Sequence, residues 1–167
     1  MSVLSLAVQF ILFWAAQGLV FNALPLFELI RPHVFITLLL MLPARLPFWV
    51  LLLGGFVLGL AVDFVSLPLG AFAFCSVLIM ALRYVWMLVI TPSLNMVNLQ
   101  EDMRLEEQTT GWLLTYAAPL VVIFELVYYT LVDLAFNWTT LLKALGGSLY
   151  TYAFVILLMV IFYKRGR

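Results

Sequence analysis

Along the chain, long apolar runs are separated by short breaks that carry proline or polar residues. The runs cover about residues 3–20, 34–42, 48–65, 69–90, 112–136 and 141–163. The breaks hold Pro25, Arg31-Pro32, Pro43 and Pro47, Ser66-Leu67-Pro68, Thr91-Pro92 and Asn137 to Thr140. Within each run the apolar residues are continuous rather than alternating. That pattern disfavours barrel strands and predicts helices that are apolar all round.

A helix that crosses a bilayer needs about 20 apolar residues. The 34–42 run is much shorter. As helix it would cover about 14 Å, roughly half the hydrocarbon core. It is predicted to be a short or broken helix shielded by protein, because lipid cannot satisfy the backbone groups at its ends. The expected fold is therefore an all-α integral membrane protein, a single polytopic domain over residues 1–167. It has six transmembrane helices, the second one short or broken, and a polar loop over residues 93–110.

Composition agrees with that reading. The 167 residues are 66% hydrophobic and only 10% charged, with mean hydropathy +1.19. Soluble domains are about 45–50% apolar and about 25% charged, so a soluble globular domain is excluded. Net charge is zero, which gives no basic excess to attract nucleic acid. One cysteine and one histidine rule out a disulfide framework and argue against a Cys/His metal site. The N-terminus has no basic stretch before its apolar run, so it reads as a retained span rather than a signal peptide.

Lys and Arg near the span ends set the expected orientation. With six crossings, Arg45, Arg83, Arg104, Lys164, Arg165 and Arg167 share one side, against Arg31 and Lys143 on the other. Both termini and the 93–110 loop are then cytoplasmic. The acidic residues of that loop count little in the rule, and its base reading is a solvated face.

Few residues can carry function. Gly55, Gly59 and Asp63 recur every four positions, so they share one helix face. Small residues at that spacing let another helix approach closely, either inside the bundle or as a groove for a partner helix. Asp63 lies toward the outer end of its span and reads either as a cap for the turn around Ser66 or as an intramembrane functional acid. Glu125 is a second deep acid at similar depth. With Tyr129 and Asp133 it forms a polar stripe turned inward. Two such acids could mean a proton or cation path, or neutral hydrogen-bonded structural acids. Arg83 counts with Glu125 and Tyr129 as a buried polar residue, its long side chain expected to reach toward the cytoplasmic headgroups rather than pair with Glu125. Asp133 and Lys143 flank a short turn and suggest an ion pair at the outer rim. His33 follows Pro32 and reads as an interfacial residue. Trp14, Trp49, Trp86, Trp112 and Trp138 fall mostly near span ends, as aromatic belts do. No nucleophile–base set, phosphate-binding glycine loop or cofactor motif is visible, so no catalytic residue, metal or cofactor is expected.

The run Pro32-His-Val-Phe-Ile-Thr-Leu-Leu-Leu-Met-Leu-Pro43, the Gly55-Phe-Val-Leu-Gly59-Leu-Ala-Val-Asp63 helix, and Leu69-Gly70 with Ala73 resemble the rod shape-determining MreD family. Arg83 in an Ala-Leu-Arg context and Gly111-Trp-Leu-Leu-Thr-Tyr116 are similar to its Bacteroidota branch. The motif covers about residues 32–85, and the hydropathy layout is compatible over nearly the whole chain. The 93–110 loop looks longer and more acidic than in compact members. The resemblance implies a fold like the substrate-binding subunits of energy-coupling-factor vitamin transporters and no enzymatic activity. It implies a place in the bacterial cell-elongation machinery of the inner membrane. The implied direct partner is MreC, a single-span protein. MreB, the RodA glycosyltransferase and its transpeptidase partner are reached indirectly, and peptidoglycan synthesis is the process served. A homodimer is left open. Two other readings stand beside this one: a small-molecule transport subunit of the vitamin type, and a protein handling an undecaprenyl-linked lipid.

Overall fold

The computed structural model describes residues 32–43, 46–64, 66, 70–91 and 108–164, with side chains as far as 161. The expected span at 3–20 and most of the 93–110 loop lie outside the described residues, as do Arg31, Arg45, Arg104, Arg165 and Arg167. Every described element is helical. In chain order they are α1 (Phe35–Met41), α2 (Phe48–Asp63), α3 (Ala71–Ile90), α4 (Thr110–Asp133) and α5 (Trp138–Lys164).

Three of these, α3, α4 and α5, are long and apolar enough to cross a membrane, and α2 is a shorter apolar helix. The 16 residues of α2 make about 24 Å of helix, less than the roughly 30 Å hydrocarbon core. The seven residues of α1 make about 10 Å. All seven are buried. Such a segment survives at membrane depth only because protein surrounds it. It packs against α3 and α5, α2 packs along α3, α3 along α4, and α4 along α5.

The outer faces are apolar, as lipid contact requires. Trp49, Leu53, Phe56 and Val57 of α2, Phe74, Val85 and Val89 of α3, and Leu142, Leu149 and Leu157 of α5 are all exposed. The core is filled by α1 together with Phe72, Ile79 and Met80 of α3, Tyr116, Leu120 and Phe124 of α4, and Val155 and Met159 of α5.

The helix ends follow local chemistry. Thr109 caps α4: its hydroxyl accepts from the Trp112 backbone N–H at 3.3 Å, the usual cap to the third helical residue. The N-cap of α3 is Gly70 at φ 91°, a left-handed conformation that glycine adopts without the Cβ penalty. Pro119 sits inside α4 and has no N–H, so the Thr115 carbonyl four residues earlier loses its helical donor. The Trp86 indole N–H of α3 reaches that carbonyl at 3.3 Å. Beside it, the Tyr152 hydroxyl of α5 donates to the Leu114 carbonyl at 3.1 Å.

Candidate functional site

Among the described residues the buried charged side chains, His33, Asp63, Arg83 and Glu125, sit at three joints, each linking separate elements. The first is made by His33, Glu125 and Thr151. His33 Nδ1 lies 2.9 Å from both carboxylate oxygens of Glu125. The Thr151 hydroxyl donates to Glu125 Oε1 at 2.6 Å, and the His33 backbone N–H donates to Thr151 Oγ1 at 3.0 Å. The bonds close a ring through the lead-in to α1, the middle of α4 and the middle of α5. Four aromatic rings surround the imidazole. Their centroids lie 4.3 Å (Tyr128), 5.3 Å (Phe72), 5.8 Å (Phe124) and 6.1 Å (Tyr129) from its own. Gly147 of α5 makes room for this joint, since a Cβ there would stand 3.0 Å from both Glu125 Oε2 and Tyr129.

His33 is thus not the interfacial residue expected from its place after Pro32. Its side chain is 2% exposed and that of Glu125 is fully buried. The reason is the length of α1. All seven of its residues are buried, and the residue that leads into it is enclosed with them. The inward stripe of α4 runs from buried Glu125 and Tyr129 to Asp133, which is partly exposed at the helix end.

The second joint is built on Arg83. Its Nε donates to the Tyr116 hydroxyl at 2.6 Å, its Nη1 to the Leu39 carbonyl at 3.3 Å, and its Nη2 to the Leu42 carbonyl. The Tyr116 hydroxyl in turn donates to the Leu40 carbonyl at 3.1 Å. The last carbonyls of a helix have no intrahelical donors and carry its negative dipole end. Arg83 and Tyr116 supply donors to the Leu42 and Leu40 carbonyls of α1's end, and Arg83 adds one to Leu39, which also accepts the Leu42 N–H at 3.4 Å. Arg83 is 1% exposed, so the expectation that it reaches for headgroups is corrected. The open C-terminus of α1 draws it inward, and Glu125 is held by other groups, as described above.

The third joint is the Gly55–Gly59–Asp63 face of α2, which packs on α3. A Cβ on Gly59 would stand 2.6 Å from both Ala73 Cα and the Phe72 carbonyl oxygen, and one on Gly55 would stand 2.7 Å from Met80 Cγ. The two backbones are close enough for Asp63 to reach the next helix. Its Oδ1 accepts from the Phe72 N–H at 3.1 Å and its Oδ2 from the Ala73 N–H at 2.8 Å. These are the second and third residues of α3, and Gly70, the N-cap, has no side chain to cap them. Asp63 thus caps a neighbouring helix, α3, while its backbone carbonyl accepts the Ser66 N–H at 3.3 Å. Cys75 is buried on the same helix, α3.

At the rim, Lys143 Nζ donates to Asp133 Oδ1 and Oδ2 at 3.1 and 2.9 Å, and the Thr140 hydroxyl adds a bond at 2.9 Å. Trp49 and Trp138 are exposed near the starts of their helices. Trp112 reaches the end of α3 through the Thr91 hydroxyl at 3.2 Å. Among the described residues no group of His, Cys, Asp and Glu side chains is arranged to hold a metal ion. Comparison of the chain with protein-family models, curated proteins and solved structures finds no match.

Proposed function

We propose that this chain is a non-enzymatic scaffold of the bacterial inner membrane, with both termini cytoplasmic. It would bind MreC and help organise peptidoglycan synthesis during cell elongation. The observation that carries the reading is where the residues resembling the MreD family fall. The lead-in and body of α1, Gly55, Gly59, Asp63, Gly70 and Arg83 are the residues at which α1, α2 and α3 are joined. Their polar atoms are spent on holding helices together. That use suits a protein whose work is to keep a fixed frame in the membrane. Because the Gly55–Gly59 face is taken up by α3, a partner helix would dock on another face.

The test is a mild-detergent pulldown of the tagged full chain from its own host, with proteins and small molecules identified together by mass spectrometry. Recovery of MreC with elongation synthases is the expected result. An ATPase-driven transporter module, or a stoichiometric small molecule without MreC, would favour the transport-subunit reading instead.

A further inference from the structure

We propose that the turn between α4 and α5, together with the end of α2, forms a lipid-binding collar: its apolar side chains lie among the headgroups of one leaflet and fix the depth of the bundle. Among the described residues, four of the five most exposed large apolar side chains are found here. They are Leu134 (89%), Phe64 (77%), Trp138 (71%) and Phe136 (66%); the other is Leu149 (75%) on the outer face of α5. All four stand at one end of the bundle. Asp63 ties the end of α2 to the start of α3. α4 runs antiparallel to α3, since Trp112 near its start bonds Thr91 just past the end of α3, and Tyr128 toward its end packs on Phe72 at the start of α3. α5 begins at that same end, after the short turn from Asp133.

Leu134 is held against two costs. It follows the last residue of α4 at φ 48° and ψ 22°, the left-handed conformation that helix ends usually give to glycine. A leucine there bears the Cβ penalty, and in water its side chain would also gain nothing from burial. Among the described residues no other side-chain-bearing residue has positive φ. Such a position points to contact outside the chain. The lysines of α5 indicate what the turn meets. Lys143 and Lys164 are 21 residues apart, about 31 Å of helix, which matches the roughly 30 Å hydrocarbon core. Asp133 is paired with Lys143 and so lies at the same edge of the core. Trp138 comes five residues before Lys143, about 7 Å further out, which is headgroup depth. Leu134 and Phe136 fall between Asp133 and Trp138, at the level where apolar and aromatic side chains anchor proteins to a membrane surface. The packing order α2, α3, α4, α5 puts Phe64 and the turn on different flanks. A single protein groove would cover one of them, whereas the lipid that surrounds the bundle meets both.

Leu134→Cys, Phe136→Cys and Phe64→Cys, each made in the full chain, test the collar. All three sites are exposed, so a nitroxide label attached there displaces no packed group. Native Cys75 is buried, and the wild-type chain treated with label serves as the blank. In nanodiscs of phosphatidylethanolamine and phosphatidylglycerol, power-saturation EPR compares collisions with oxygen, which concentrates in lipid, and with a nickel chelate, which stays in water. The three labels should lie in the headgroup layer, within about 7 Å of the hydrocarbon edge. The thiols of the same variants, left unlabelled, should react several-fold more slowly with a charged maleimide in nanodiscs than in the detergent-unfolded chain. Labels that meet the chelate as freely as they do in the unfolded chain would overturn the proposal and put these residues in water, free for a protein partner. Labels shielded from oxygen and chelate alike would overturn it too, because protein would then cover them.

Discussion

Trp86 of α3 donates its indole N–H to the carbonyl of Thr115 on α4, the carbonyl that Pro119 leaves without a helical donor. Thr115 is on the exposed side of α4, where lipid offers no hydrogen bond. The pairing turns a proline-induced defect into a link between two spans. Trp86→Phe keeps most of the ring and removes the donor, and should destabilise the protein by about 1 kcal/mol. In a Pro119→Ala background the backbone N–H restored at that position can serve Thr115, so the same substitution should cost clearly less. Thermal unfolding of the four proteins in detergent, read as a double-mutant cycle, measures the coupling. Purely additive effects would mean that the indole does not serve this carbonyl.

The Gly59 crossing makes a sharper contrast within one helix. A Cβ at Gly59 would meet backbone atoms of Ala73 and Phe72, whereas one at Gly54 meets nothing within 4 Å. Backbone cannot rotate aside as a side-chain tip can. Gly59→Ala should therefore force α2 and α3 apart at a cost of about 1–3 kcal/mol, and Gly54→Ala should be neutral or slightly stabilising. Unfolding midpoints of the purified variants decide it. Equal effects at the two positions would contradict the close approach. Among the described residues the buried Ser76 hydroxyl at this crossing has no hydrogen-bond partner, so Ser76→Ala should be tolerated.

What is legible in the sequence follows from length and period. The nine-residue run between Pro32 and Pro43 is too short to span, and it folds as a short buried helix. Four-residue spacing places Gly55, Gly59 and Asp63 on one face, and one face of α2 does hold all three. Which helix meets that face is not written in the spacing, because packing inside the bundle and docking of a partner use the same small residues. Arg83 and His33 are misplaced by sequence for a related reason. Distance from the ends of its own run is the guide the sequence offers for each. Their true surroundings are set by α1, whose open carbonyls need an arginine and whose lead-in carries His33 into the bundle. The signal for His33 is present in the shortness of the run that follows it. The partners Thr151 and Tyr116 carry none, since a lone threonine or tyrosine in an apolar run resembles many others.

Asp63 tests how much a remote cap contributes. Its two oxygens serve two buried amides of α3. Asp63→Ala leaves both donors unsatisfied and should cost about 2–4 kcal/mol, the sum of roughly 1–2 for each. Asp63→Asn keeps one good acceptor and should retain about half of that stability. Hydrogen exchange of the Phe72 and Ala73 amides locates the effect. They should lose protection in Asp63→Ala ahead of amides in the middle of α3. Protection unchanged at the two amides would separate Asp63 from the capping role.

Arg83 carries the last prediction, because its fork does three tasks at once. It touches the Tyr116 phenol and two carbonyls of α1. Lysine has charge but only one nitrogen, so it cannot span the three acceptors. Arg83→Lys should therefore destabilise the protein by about 1–3 kcal/mol despite keeping the charge. Tyr116→Phe removes a hydroxyl that accepts from Arg83 and donates to the Leu40 carbonyl, and should cost about 1–2 kcal/mol. The two residues serve the same helix end through a shared bond, so their effects should be less than additive. If charge alone mattered, Arg83→Lys would behave as wild type and Tyr116→Phe would add independently. Unfolding midpoints of the single and double variants separate a seal on α1 from a buried charge kept for other reasons.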